Sequence, residues 1–221
     1  NYSYANSAFL SEILSSYLAS WRLDYATLCL PKARTAVGRY GAMQIDAFPA
    51  RPTHGSRILH FFSNIDPHES VYWASSYDFS EILDRYKASY LIRRWKKHGP
   101  PKSKNFLNSL KKWGKFVGLN LAPRSPNDEL MLQLQQMLKK DGKLQQEEKK
   151  CQWIFPPGSC WLVFTDQRSY TYLPRAKMLK QTLFIAPAAL VDAASSPATQ
   201  LERFTRRKMI YQALAKTVGE L

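Results

Sequence analysis

Between Met43 and Trp73 the chain gathers most of the side chains able to do chemistry: Asp46, His54, His60 and two arginines, Arg51 and Arg57. A carboxylate and imidazoles are the groups that hold a divalent transition metal or move protons. An arginine adds a planar fork that grips a carboxylate or phosphate. Each has an ordinary alternative. Asp46 could be a hydrogen-bonded acid at a strand end, the histidines core or loop residues, the arginines members of structural ion pairs, and Trp73 a core residue rather than a sugar platform. His68 falls in a turn. Other catalytic patterns are missing: no phosphate-binding loop, no Gly-rich dinucleotide turn, no nucleophile elbow and no Cys-x-x-Cys.

The elements that must position these groups read as follows. Residues 7 to 28 carry Leu10, Ile13, Leu14, Tyr17, Leu18, Trp21, Tyr25 and Leu28 at three- and four-residue steps, which predicts an amphipathic helix ended by Pro31. Met43 to Phe48 fits a strand, and Pro49, Pro52 and Gly55 enforce a loop. Arg57 to Ile65 is a second strand with bulky residues on both faces, and Ser70 to Ser75 a third. Asp78 to Lys97 returns to helical spacing until Gly99-Pro100-Pro101 breaks it, and a second basic segment follows through Lys115. Ser125-Pro126-Asn127-Asp128 is a helix start, with Ser as cap and Pro at the first helical position. Residues 143 to 150 read as a solvated charged stretch. Gln152 to Phe155 and Cys160 to Thr165, joined by Pro156-Pro157-Gly158, read as a hairpin. Gln181 to Ile185 is a further strand, and Ser196-Pro197 caps a last helix. The order predicts one α+β domain over residues 1–221, a compact antiparallel barrel or jelly roll with the helices on one side.

The 221 residues suffice for a sizeable core, and a composition 45% hydrophobic and 22% charged is that of a folded chain. No apolar run reaches the length of a membrane span. Cys29, Cys151 and Cys160 lack metal-type spacing. Cys151 and Cys160 could face each other across the hairpin, or all three could be reduced thiols. The net charge of +15 is concentrated: eleven basic residues lie between Arg85 and Lys115 without one Asp or Glu. Such a field favours an anionic partner, whether nucleic acid, anionic membrane surface or acidic glycan.

Several blocks carry a family likeness: Asp46-Ala47-Phe48-Pro49 with Arg51-Pro52, Arg57-Ile58-Leu59, Asn64-Ile65 with Pro67, and Trp73. Farther on come Phe155-Pro156-Pro157-Gly158-Ser159, Phe164-Thr165-Asp166-Gln167 and Gln181-Thr182, besides the helix through Leu130 to Met137 and the Ser196-Pro197 start. Together, from about Asn1 to about Arg207, they resemble the Kdo hydroxylase family, bacterial Fe(II)/2-oxoglutarate dioxygenases that hydroxylate 3-deoxy-D-manno-oct-2-ulosonic acid (Kdo) on the lipid A core. The resemblance implies a double-stranded β-helix (jelly-roll or cupin-like) with packed helices. It implies an iron held by a His-x-Asp pair and a distant His, with positions left open for 2-oxoglutarate and oxygen. It also implies that part of the family's N-terminal region is absent here, and that the link between Leu30 and Gln44 is short.

The family's ligand positions fall on Gln44, Asp46 and Tyr170, of which only Asp46 matches. His60, where an arginine is expected, is a candidate substitute ligand; Val71 and Ala74 also stand where arginines are expected. Arg51, Arg57 and Trp73 are the candidates for cosubstrate or sugar binding. Two readings follow. One is an Fe(II)/2-oxoglutarate dioxygenase acting on Kdo of lipid A precursors, at the cytoplasmic face of the bacterial inner membrane. The other is a non-catalytic relative that binds an anionic glycolipid, or another anionic partner, through its basic surface. A nucleic-acid-binding module using the basic block with Trp95, Trp113 and Phe116 is a weaker third, because no DNA- or RNA-binding motif accompanies it.

Overall fold

The structure is a computed structural model and describes residues 12, 21–30, 41–99, 124–147, 151–173 and 175–210. Two antiparallel sheets carry its bulky β-forming residues. In the larger, β1 (Trp21–Cys29), β7 (Met178–Ile185), β2 (Arg57–Asn64) and β5 (Cys160–Phe164) lie side by side in that order. In the smaller, β3 (Val71–Asp78) is flanked by β4 (Cys151–Phe155) and β6 (Arg168–Tyr172). β2 is buried along its whole length, which is why it is bulky on both faces. Its Leu59 and Phe61 pack with Leu183, Ile185 and Ala189 on one side. Its Phe62 meets Trp73 and Tyr170 of the smaller sheet on the other.

Five α-helices of the described residues are α1 (Phe79–Tyr86), α2 (Tyr90–His98), α3 (Pro126–Lys140), α4 (Gly142–Gln146) and α5 (Pro197–Thr205), and two short 3₁₀ helices lie at Pro187–Ala189 and Ala193–Ser195. The α-helices share one apolar core, which includes Phe79, Ile82, Trp95, Leu130, Leu134 and Leu201. The predicted starts hold. The Ser125 and Asp128 side chains each accept from the other's backbone N–H, with Pro126 in the first turn, and Ser196 caps α5 through Thr199. The predicted helix from Asp78 is two helices, because Ser89 caps a new start by accepting from Ile92. None of the described helices is long and apolar enough to cross a membrane.

Three expectations are corrected. The predicted helix over residues 7–28 is a β-strand over Trp21–Cys29, held by antiparallel pairing with β7 from Trp21↔Ile185 to Cys29↔Met178; the rest of that prediction, Glu12 excepted, lies outside the described residues. β4 and β5 do not form a hairpin. The Pro156-Pro157-Gly158 turn hands the chain from one sheet to the other, since β4 pairs with β3 and β5 with β2, and the cysteines are free thiols. The stretch taken as solvated from residue 143 begins as helix α4, whose Leu144 is buried. The second basic segment, with Trp113 and Phe116, lies outside the described residues.

Candidate active site

The segment of residues 43–47 is extended and alternates as a strand does, yet it is not a regular strand. It bridges the two sheets. Gln44 and Tyr170 exchange backbone hydrogen bonds of 2.9 and 2.8 Å, and the Asp46 N–H donates to the Thr165 carbonyl at 2.8 Å. Two glutamines secure the opposite edge. Gln135 donates to the Ile45 and Ala47 carbonyls, and Gln145 both accepts from the Met43 N–H and donates to its carbonyl. Period two then sends Met43, Ile45 and Ala47 into the helical core and leaves Gln44 and Asp46 for the space between the sheets.

There Asp46, 6% exposed, lies at the centre of a polar cluster. The Tyr170 hydroxyl donates to its two carboxylate oxygens at 3.0 and 3.1 Å. The Gln44 amide donates to the Tyr170 oxygen at 3.3 Å. His60 Nδ1 lies 3.4 Å from Asp46 Oδ2 and 3.4 Å from the Thr165 hydroxyl. Burial raises the Asp46 carboxyl, against the pull of Thr165, Lys180, Tyr170 and Lys139. Burial, reinforced by the charge of Lys180, lowers His60 to about 3, so its imidazole is neutral at pH 7. A proton on Nδ1 satisfies Asp46, which leaves the buried Nε2 without a hydrogen-bond partner. Tyr170 is raised well above the ordinary range for a phenol, first by burial and then by the Asp46 charge. Its ring stacks on Trp73 at 4.7 Å and 4°.

Beside Asp46 opens a small cleft, whose lining includes Phe48, Thr53, Arg57, Asn127 and Asp166. Arg57 is committed within it. Its Nε donates to Asp166 at 2.8 Å, and its Nη2 donates to Asp166 at 3.3 Å and to Gln167 at 2.6 Å. Burial pushes the Asp166 carboxyl up, and the Arg57 guanidinium opposes that push. Asp128 closes the cleft's loop by accepting from the backbone N–H groups of Thr53 and His54.

The sequence profile of the 3-deoxy-D-manno-oct-2-ulosonic acid (Kdo) hydroxylase family matches residues 1–208. This chain belongs to the Kdo hydroxylase family. Solved structures of the Kdo hydroxylase KdoO, a non-heme Fe(II) α-ketoglutarate-dependent dioxygenase, share its fold. The KdoO complex with succinate and Fe(III) superposes with a TM-score of 0.76 at 29% identity, over 96% of this chain and 69% of that one. The complex with α-ketoglutarate and Fe(III) gives 0.74 at 29% identity, over 95% and 68%. The cobalt(II) complex gives 0.75 at 28% identity, over 96% and 68%. No curated protein matches the chain.

Gln44, Asp46 and Tyr170, the expected ligand positions, meet in space, although Gln44 and Tyr170 stand 126 residues apart in sequence. Their donors do not fit Fe(II). Oxygens 3.0 Å apart could sit side by side on one ion, so spacing alone would admit a metal; proton balance does not. A two-imidazole, one-carboxylate iron site needs two neutral imidazoles, and here an amide and a phenol flank Asp46 instead. The phenol holds its proton on the one remaining carboxylate, and burial and Asp46 together oppose its ionisation. His60 reaches Asp46 but turns Nδ1 toward it, so it supplies at most one imidazole. No group of three His, Cys, Asp or Glu side chains that could hold a metal ion occurs among the described residues.

The remaining candidates scatter. Arg51 is exposed and absent from the cleft lining. His54 sits in the loop at φ 51°. Trp73 is 3% exposed and belongs to the core. Val71 and Ala74 are fully buried. The reading of the sequence missed Lys180 and Lys139, whose charges act on Asp46. Lys180 could have been found only by placing β7 against β2, because the register Phe62↔Lys180 and His60↔Thr182 puts it on the His60 face.

Proposed function

We propose that this chain is a Kdo hydroxylase-family protein that has given up iron chemistry and binds a Kdo-containing anionic glycolipid of the lipid A type. Its sheets form a double-stranded β-helix, and it acts at the cytoplasmic face of the bacterial inner membrane. The observation that carries this reading is the Tyr170 hydroxyl, which donates to both oxygens of Asp46 where an imidazole and an iron would stand. The family supports the sugar class, and the net charge of +15 supports an acidic ligand.

A second reading, a working Fe(II)/2-oxoglutarate Kdo hydroxylase, draws on the meeting of Gln44, Asp46 and Tyr170 in one place. Anaerobic titration with Fe(II) and 2-oxoglutarate separates the two. The expected result is no visible charge-transfer band and no succinate on admitting oxygen, while soluble Kdo still quenches tryptophan fluorescence. Gln44→His with Tyr170→His restores two imidazoles beside Asp46 and should bring the band back. A band and succinate from the unaltered protein would overturn the loss of iron chemistry. Absence of Kdo binding would overturn the ligand.

A further inference from the structure

Two segments about 110 residues apart in sequence bring their cations to one corner of the molecule. α2 exposes Arg93, Arg94, Lys96 and Lys97. The end of α5 and the residues after it expose Arg203, Arg206, Arg207 and Lys208. The segments are tied directly. Arg207 Nη2 donates to the Lys97 carbonyl at 3.0 Å, and Arg207 lies along Gly99, where a Cβ would meet its guanidinium at 3.4 Å. Lys96 Nζ stands 5.3 Å from the centre of the Phe204 ring. The only acid in these stretches is Glu202, and it accepts the Met209 N–H.

Helix ends account for only a small part of this charge. Both helices finish at the corner, and a C-terminus presents about half a negative charge. Two ends offset roughly one of the eight cations. None of the eight has an ion-pair partner among the described residues, whereas the two cations just before α2 are paired, Lys87 with Asp84 and Arg85 with Asp141 and Glu147. In sequence α2 leads straight into Lys102, Lys104, Lys111, Lys112 and Lys115, again without an acid.

We propose that this α2–α5 corner docks the protein on an anionic phospholipid surface. Tyr90, 76% exposed, shares one helical face with Arg93, Arg94 and Lys97 at steps of three, four and seven. An exposed aromatic among cations is the pattern of a helix lying at the headgroup level. Nucleic acid would call for a stacking platform or a groove-entering element. Tyr90 is the only exposed aromatic of these two helices, and Phe204 is covered by Lys96. The proposal deepens the glycolipid reading by naming the face turned to the bilayer. It is tested separately from it, because soluble Kdo needs no bilayer.

The test is sedimentation with vesicles of phosphatidylcholine, with and without 30% phosphatidylglycerol. The protein should bind the anionic vesicles only, and release between low salt and about 0.5 M NaCl as screening shortens the field. Arg93→Gln, Arg94→Gln, Arg203→Gln and Lys208→Gln together should weaken binding by about several hundredfold, at about fivefold per cation. Lys87→Gln, Lys143→Gln, Arg175→Gln and Lys177→Gln, which remove the same charge elsewhere, should cost far less. Tyr90→Ser, with charge unchanged, should weaken binding severalfold. Equal losses in the two quadruple variants would overturn the corner as the docking face. So would no vesicle binding at all, or tight binding to duplex DNA that the first variant alone abolishes while vesicles stay unbound.

Discussion

Replacing Tyr170 by Phe removes one oxygen and keeps the ring, so the stack on Trp73 survives and the effect isolates the hydroxyl. That hydroxyl donates to Asp46 at 3.0 and 3.1 Å and accepts from Gln44 at 3.3 Å. A hydrogen bond to a charged group contributes about 1.5–3 kcal/mol, and a buried acceptor left short of donors adds to the loss. His60 and Thr165 remain near Asp46, so the expected cost is about 2–3 kcal/mol, or roughly 5–10 °C in Tm for a chain of this size. The cost depends on pH. Because burial raises the Asp46 pKa on folding, the folded state holds its proton longer than the unfolded chain, and stability from this group falls as pH rises above the ordinary 3.8. Tyr170 restrains that rise. Without it the folded carboxyl titrates higher still and the decline runs further up the pH scale. The Tyr170→Phe penalty should therefore be larger at pH 8.5 than at pH 5, because lower pH favours the protonated form of the raised carboxyl. In an Asp46→Asn background it should drop below about 1 kcal/mol. Thermal unfolding of the four proteins of this cycle at both pH values measures it. Equal penalties at the two pH values, or in the two backgrounds, would refute the carboxylate–phenol account.

Arg57→Met leaves Asp166 buried and unpaired and should cost about 3–5 kcal/mol in urea unfolding, far more than an exposed arginine such as Arg51 would. Asp128→Ala removes the acceptor of Thr53, His54 and Ser125 at once. It should cost about 3 kcal/mol and speed amide exchange at Thr53 and His54 first. Cys151 and Cys160, lying on strands of different sheets, should both titrate with a thiol reagent under native conditions, Cys160 faster because it is the exposed one.

What the sequence revealed, and what it hid, follows from where the information sits. β2 was legible because burial on both faces demands a continuous run of bulky residues. α3 and α5 were legible because their caps are local chemistry. β1 was misread because Trp21, Tyr25 and Leu28 keep a helical step, while the same stretch also alternates through Trp21, Leu23, Tyr25 and Thr27. The choice between the two periods was made by β7, about 160 residues away, and not by propensity. The turn at Pro156-Pro157-Gly158 was visible, but which sheet each flank joins was not. β3 and β2, the partners of β4 and β5, lie some 80 to 100 residues earlier. Gln44 and Tyr170 were reached through family likeness alone, whereas Asp46 and His60 also stood out by residue chemistry; the approach of His60 to Asp46 depends on the β2 register. Lys180 had no local signal.

The blocks that carry the family likeness have tasks here that need no metal. Asp166 and Gln167 hold the Arg57 guanidinium, and the Asn64 side chain donates to the Glu69 and Phe155 carbonyls and accepts the Asp66 N–H. Losing any of these would leave a buried donor or acceptor unmade, at about 1–3 kcal/mol each, a large part of a domain's net stability. An imidazole whose only task is to hold iron carries no such penalty once the iron is not used. Tyr170 goes further. Its ring stacks on Trp73, and its hydroxyl donates to Asp46 beside His60 and Thr165. On the reading proposed above, the fold keeps its family signature while the centre is structural. Histidines at 44 and 170 should then recover metal binding at a cost in stability, because they remove the phenol that now satisfies the carboxylate. A double reversal that bound Fe(II) and was also more stable without metal than the natural chain would show that Tyr170 is not serving Asp46.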